Sequence, residues 1–153
     1  MAELQYAKNI VTEDFMPPLP PEVVKLIEDQ EKEGKSIDRT LMFGINDSIV
    51  KGSFFSACEW LWELKDGKPF QIEFAHSHDF DEVLGFIGSR RDNPRDLGGE
   101  VEFWMDGEQH ILTKSCLIFV PKGMNHCPLI FRRIDTPIFL YEAGNDTSYE
   151  RIR

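Results

Sequence analysis

Beyond Gly44 the chain breaks into short apolar runs separated by turn residues at fairly regular intervals, the texture of an antiparallel β-sandwich or barrel. The predicted strands are Phe54 to Leu64, Phe70 to His78, Glu82 to Gly88, Val101 to Met105, Gln109 to Thr113, Cys116 to Val120, His126 to Arg132 and Pro137 to Glu142. Asp66-Gly67 and Asp106-Gly107 are hairpin dipeptides, and Asp96 to Gly99 reads as a longer loop. Ahead of the strands, Pro17-Pro18-Leu19-Pro20-Pro21 cannot sustain a helix interior or a central strand and is expected to be extended. From Pro21 to Glu33, Val23, Val24 and Ile27 share one face, Pro21 suits a first helical position and Gly34 suits the end, so a short surface helix is predicted. The expected organisation is an N-terminal arm with a short helix over residues 1–44, packing on a single β-barrel domain over 45–153. No internal repeat suggests a duplicated barrel.

Positions two apart on a strand point the same way, which sorts side chains by face. Trp60 and Trp62 fall opposite Glu59 and Glu63, so the tryptophans are expected to point inward. Phe74 shares a face with His76 and His78, and Leu84 and Phe86 share that of Glu82. Trp60, Trp62, Phe74 and Phe86 are first of all barrel core and second candidates for lining a substrate cavity. Tyr141 is a candidate hydrogen-bond or proton donor if it faces inward, which strand parity does not decide.

Composition narrows the class. A chain of 153 residues, 41% hydrophobic and with 12 Phe, supports one folded domain with a real core. The formal charge of −10 opposes binding to nucleic acid or anionic lipid over most of the surface. Arg90, Arg91 and Arg95 are a local exception, read as a solvated loop with ion pairs to Asp92 and Asp96. No run approaches the roughly 20 apolar residues of a membrane span, and no basic region followed by an apolar one opens the chain. A cytoplasmic protein is therefore expected. Cys58, Cys116 and Cys127 match no zinc knuckle or redox pair and read as small buried hydrophobes, with Cys127 pointing away from the histidine before it. His110 reads as an ordinary surface residue.

Two segments carry chemistry. In Phe74-Ala75-His76-Ser77-His78-Asp79-Phe80-Asp81-Glu82, two histidines one residue apart project to the same side of a strand, and a turn at Asp79 to Asp81 would return Glu82 to that face. In Val120-Pro121-Lys122-Gly123-Met124-Asn125-His126, proline and glycine fix a turn that delivers a histidine at a strand start. Imidazoles with one carboxylate suit a first-row divalent metal.

Together these segments resemble the two motifs of the cupin superfamily, His76-x-His78-x-x-x-Glu82 and Pro121-x-Gly123-x-x-His126, over roughly Phe54 to Glu142. The sequence departs from the family pattern at Phe70, Ser115 and Ile130, none of them at a ligand position. The resemblance implies an all-β, cupin-type jelly-roll barrel in which His76, His78, Glu82 and His126 bind one divalent transition metal: Fe, Mn, Ni, Cu or Zn. It further implies a metal-dependent enzyme acting on a small organic molecule, with oxidative, dioxygenase-like chemistry favoured and Glu82 able to act as a base. Metal-assisted lyase or isomerase chemistry, and a non-enzymatic metal or small-molecule binding module, are the alternatives. The proline-rich arm and the short strands suggest a homodimer.

Overall fold

In the computed structural model, residues 5–13 and 18–152 are described, so Pro17 of the proline run lies outside them. Each strand has one apolar face to bury, and the chain meets that demand by shuttling between two antiparallel sheets that face each other. The strands are β1 (Ile37–Ile45), β2 (Ser56–Leu64), β3 (Phe70–Glu73), β4 (Glu82–Gly88), β5 (Asp96–Met105), β6 (Glu108–Lys114), β7 (Cys116–Val120), β8 (His126–Ile134) and β9 (Ile138–Gly144). One sheet runs β1-β2-β9-β4-β7 and the other β3-β8-β5-β6, a jelly-roll arrangement.

Three differences from the sequence expectation have local causes. Strand β1 pairs with β2 ahead of the strand-rich part, but its register slips at Asp38/Arg39 and at Leu41/Phe43, which erases a clean alternation. The run expected from Phe70 to His78 leaves the ladder after Glu73, and His76 keeps only a single bridge to His126. Strand β5 begins at Asp96, taking in the glycines expected to form a loop.

Helix α1 (Pro21–Lys32) has proline in its first turn and buries Val23. The buried Gln30 side chain donates to the Gln71 carbonyl (2.8 Å) and accepts from the Gln71 amide (2.9 Å). This clip covers the outer edge of β3, which would otherwise expose unpaired backbone groups. Arg90 pairs with Asp92 (2.6 Å) and Asp96 (3.5 Å), as expected of a solvated loop. No helix among the described residues is long and apolar enough to cross a membrane.

The core fills the space between the sheets with Leu61, Phe70, Phe86, Leu97, Val101, Phe103, Phe131 and Ile138, all essentially inaccessible. Phe103 and Phe131 each lie 6.4 Å from Phe86 between ring centroids. Phe103 also stands 6.3 Å from the His126 ring, so the aromatic core borders the polar cluster.

Candidate metal centre

The two motif segments meet because backbone hydrogen bonds lace them together. His76 and His126 exchange backbone bonds of 2.9 Å in both directions. The Pro121–Met124 turn closes with a Met124 amide to Pro121 carbonyl bond of 3.0 Å, and it needs Gly123 because that residue sits at φ 80°. The Gly123 amide then donates to the His78 carbonyl (2.8 Å). Asp81 adds a clamp, accepting from the Lys122 amide (2.9 Å) and the Asn145 side chain (3.2 Å). Beside it Gly144 lets the Phe80 ring approach so closely that a Cβ there would lie 2.4 Å from a ring carbon.

His76, His78, Glu82 and His126 are all buried and converge. The His76 and His78 Nε2 atoms are 3.0 Å apart, Glu82 Oε2 is 3.1 Å from His126 Nε2, and it is 3.8 Å from His78 Nε2. Every Nδ1 points the other way: His76 to the Phe74 carbonyl (2.7 Å), His78 to the Glu150 carbonyl (2.6 Å) and His126 to the Met124 carbonyl (3.1 Å). A carbonyl only accepts, so each Nδ1 carries a hydrogen and each ring turns its Nε2 toward the centre.

Burial, opposed by the hydrogen bond to Phe74 and reinforced by the neighbouring histidines and Arg151, pushes the His76 pKa down to about 3. Burial lowers that of His78 as well. The neutral form is thus the stable one for His76 and His78, whose Nε2 atoms face each other across 3.0 Å. Glu82 Oε2 is buried with no hydrogen-bond partner. Such an arrangement is costly unless a cation sits between the atoms. Two nitrogens about 2.1 Å from one ion at a right angle would be about 3 Å apart, so the donor set fits a divalent metal. The outward Nδ1 bonds fix the ring orientations as metal-ligand partners do. These buried groups can hold a metal ion.

One further sulfur comes near. Cys127 Sγ lies within 4.8 Å of ring nitrogens of His76 and His126, and the residue lines the cavity instead of pointing away. Its φ of 68° is the reason, because left-handed backbone breaks the strand alternation on which the expectation rested. Burial pushes its thiol well above the ordinary range. Cys58 and Cys116 are half-buried.

The cluster opens into a cavity of about 170 Å³. Pro18, Leu19 and Pro20 of the arm reach its wall, together with Phe55, Ile72, Leu84, Leu129 and Leu140. Of the residues expected to line it, none does. Trp60 and Trp62 stack on each other (5.3 Å) on the outer face, Trp60 against Phe139 (5.0 Å) and Trp62 donating to Thr40 (2.8 Å). Ala57, Glu59 and Leu61 point inward in their place. Phe74 is exposed beside helix α1, Phe86 is sealed in the core, and Tyr141 is exposed on the outer face. His110 is half-buried beside Glu108 (3.4 Å), away from the centre.

Besides the motif residues His76, Glu82 and His126, the cavity is lined by polar groups that the sequence pattern did not single out as site residues. They are Arg39, Glu59, Glu73, Glu142, Tyr149 and Arg151. Tyr149 lies beyond the last strand and places its hydroxyl 3.1 Å from His76 Nε2. Its ring stands 4.6 Å from that of His78, which stacks on Phe80 at 4.5 Å. The segment is tied down by the Ile152 amide to Ser77 carbonyl bond (2.8 Å) and by ion pairs of Arg151 with Glu22 (3.3 Å) and Glu73. Burial, reinforced by Glu142, Glu82 and Glu73, raises the Tyr149 pKa well above the ordinary value. Burial also raises Glu142 strongly, with Glu82, Glu59 and Glu73 adding to it, while Arg39 and Arg151 oppose the rise at Glu59 and Glu73.

No protein-family model matches the chain, and no curated protein does. Among solved structures it is similar to KdgF from Halomonas sp., at 13% identity over 71% of this chain and 79% of that one, with a TM-score of 0.43. It is similar to an RmlC-like cupin from Shewanella frigidimarina NCIMB 400, at 17% identity over 77% and 88%, with a TM-score of 0.42. It is also similar to an oxalate oxidase in complex with the substrate analogue glycolate, at 11% identity and a TM-score of 0.48, covering 78% of this chain and about half (54%) of that one. The chain folds as a two-sheet jelly roll in which both motif segments meet at one buried cluster of three histidines and a glutamate.

Proposed function

We propose that the chain is a metal-dependent cupin enzyme acting on a small organic molecule, with oxidative, dioxygenase-like chemistry at a mononuclear site of His76, His78, Glu82 and His126. The carrying observation is the set of three Nε2 atoms turned toward one centre, each ring oriented by an Nδ1 to carbonyl bond, with His76, Glu82 and His126 at the wall of the cavity. A first-row divalent ion held by these four residues would supply Lewis acidity and, if redox-active, electron transfer. The chain's own contribution is orientation and the exclusion of water: leucines and Phe55 surround the substrate body while Tyr149 holds a phenolic O–H beside the ligand face.

Tyr149 and Glu142 also favour a second reading, metal-assisted lyase or isomerase chemistry. Burial raises the Tyr149 pKa, so its phenol keeps its proton through neutral pH and can donate it, or a hydrogen bond, to a developing oxyanion, while the Glu142 carboxylate at the same cavity wall can accept one. Oxygen dependence separates the two. Metal-loaded protein screened against small carboxylates, enols and catechols is expected to consume oxygen only with its substrate. Turnover that continues undiminished without oxygen would sink the oxidative reading and leave the second.

Strand β7 is a sheet edge, and Leu117 (70% exposed) and Phe119 (57%) leave it apolar. Such an edge needs a cover, and a second copy of the chain supplies one in this reading. Light scattering is expected to give twice the 17.7 kDa chain mass, and replacing Leu117 and Phe119 by Lys to return it to one. A monomeric native protein would contradict the homodimer.

A further inference from the structure

Three glutamates fall on a diagonal across the inner face of the five-stranded sheet. Glu82 of β4 stands opposite Gly144, while Glu142 of β9 stands opposite Leu84 on one side and Ala57 on the other. Glu59 of β2 stands opposite Leu140. Each glutamate is therefore one diagonal step from the next, about 7–8 Å between Cα atoms. The row starts at the histidine cluster and continues along the cavity wall, which all three residues line.

The histidines account for Glu82. Nothing among the described residues accounts equally for the other two. Glu59 is only 8% exposed and its Oε2 has no hydrogen-bond partner. The Arg39 guanidinium is 3.6 Å from that oxygen, beyond hydrogen-bond length. Glu142 feels Arg151, but Glu73 and Glu22 already hold that guanidinium. Carboxylates that a ligand cuts off from water with no donor are expensive, and a wholly apolar ligand would leave them so. An alcohol would bring one hydrogen and no charge. An ammonium group brings three donors, enough for the unpartnered Glu59 oxygen and for Glu142, and a charge for Glu142, which has no cation of its own beside it as Glu59 has Arg39.

We infer that Glu142 and Glu59 form a cation-recognising subsite, so that the substrate carries an organic ammonium group at one end and a metal-binding oxygen function at the other. This rests on the metal reading above, since Glu82 and the histidines must hold the oxygen end.

The test uses the metal-loaded full chain, with its metal content measured on the same sample. Glycine and longer ω-amino acids up to 6-aminohexanoate are titrated by calorimetry against ω-hydroxy acids of equal length. At least one amino acid is expected to bind about ten-fold tighter than its hydroxy counterpart, the difference between a charge-assisted and a neutral hydrogen bond. Glu142→Gln is expected to abolish that preference with metal content unchanged, and Glu59→Gln serves as the second variant if the first fails to fold. Equal affinities, a preference for the hydroxy acids, or no binding in either series on metal-loaded protein would overturn the inference and leave the metal reading standing. A protein that takes up no metal yet prefers the amino acids would overturn the metal reading instead.

Discussion

Replacing His126 by alanine is expected to weaken divalent-metal binding by more than about 100-fold, beyond the 10- to 100-fold that losing an orienting partner costs. His126 is the residue both motif segments depend on. Its Nε2 lies 3.1 Å from Glu82 Oε2, its backbone bridges His76, and it opens β8. Competition against a chromophoric chelator measures the affinity, and thermal melts supply an independent readout. With the ion at about 100 times its Kd, binding stabilises the native chain by about 2.7 kcal/mol and raises Tm by roughly 5–10 °C. That increment is expected in the native protein and absent in His126→Ala, whose metal-free melt reports separately on folding. Cys127→Ser supplies the control. If its affinity falls as far as that of His126→Ala, the sulfur belongs to the ligand set and the three-histidine, one-glutamate assignment is wrong.

The ligand positions were legible because metal binding constrains residue type and spacing within short segments. A pair such as His76 and His78 with Glu82 following, or a proline and glycine ahead of His126, survives in the sequence whatever the rest of the chain does. The cavity was not legible, because its walls depend on which face of each strand turns inward. Alternation sorts residues into two sets without saying which is inside. At β2 both sets contain apolar residues, and the polar one, Ala57-x-Glu59-x-Leu61, is the interior. The same parity at β9 puts Glu142 inside and Tyr141 outside, so once the Glu59 face is known the second glutamate follows from register. Tyr149 gave no signal at all. It sits past the last predicted strand, and only the folded course of residues 145–152 over the histidines gives its hydroxyl a neighbour.

Phe86→Ala and Trp62→Ala are expected to differ sharply in stability, although the sequence pattern assigned both side chains to the interior. Phe86 is fully buried (0% exposed) with Phe103 and Phe131 around it, and truncation would leave a cavity worth about 3–5 kcal/mol. Against the 5–15 kcal/mol that typically holds a domain together, that loss lowers Tm by roughly 6–20 °C. Trp62 is 39% exposed and gives up only its stacking on Trp60 and one hydrogen bond to Thr40, about 1–2 kcal/mol. Denaturant unfolding of both variants in the same metal-loaded state gives the comparison directly. If Trp62→Ala were the more damaging, the tryptophans would face the interior after all. Glu59 would then turn outward, and the glutamate row along the cavity would lose its far end on β2.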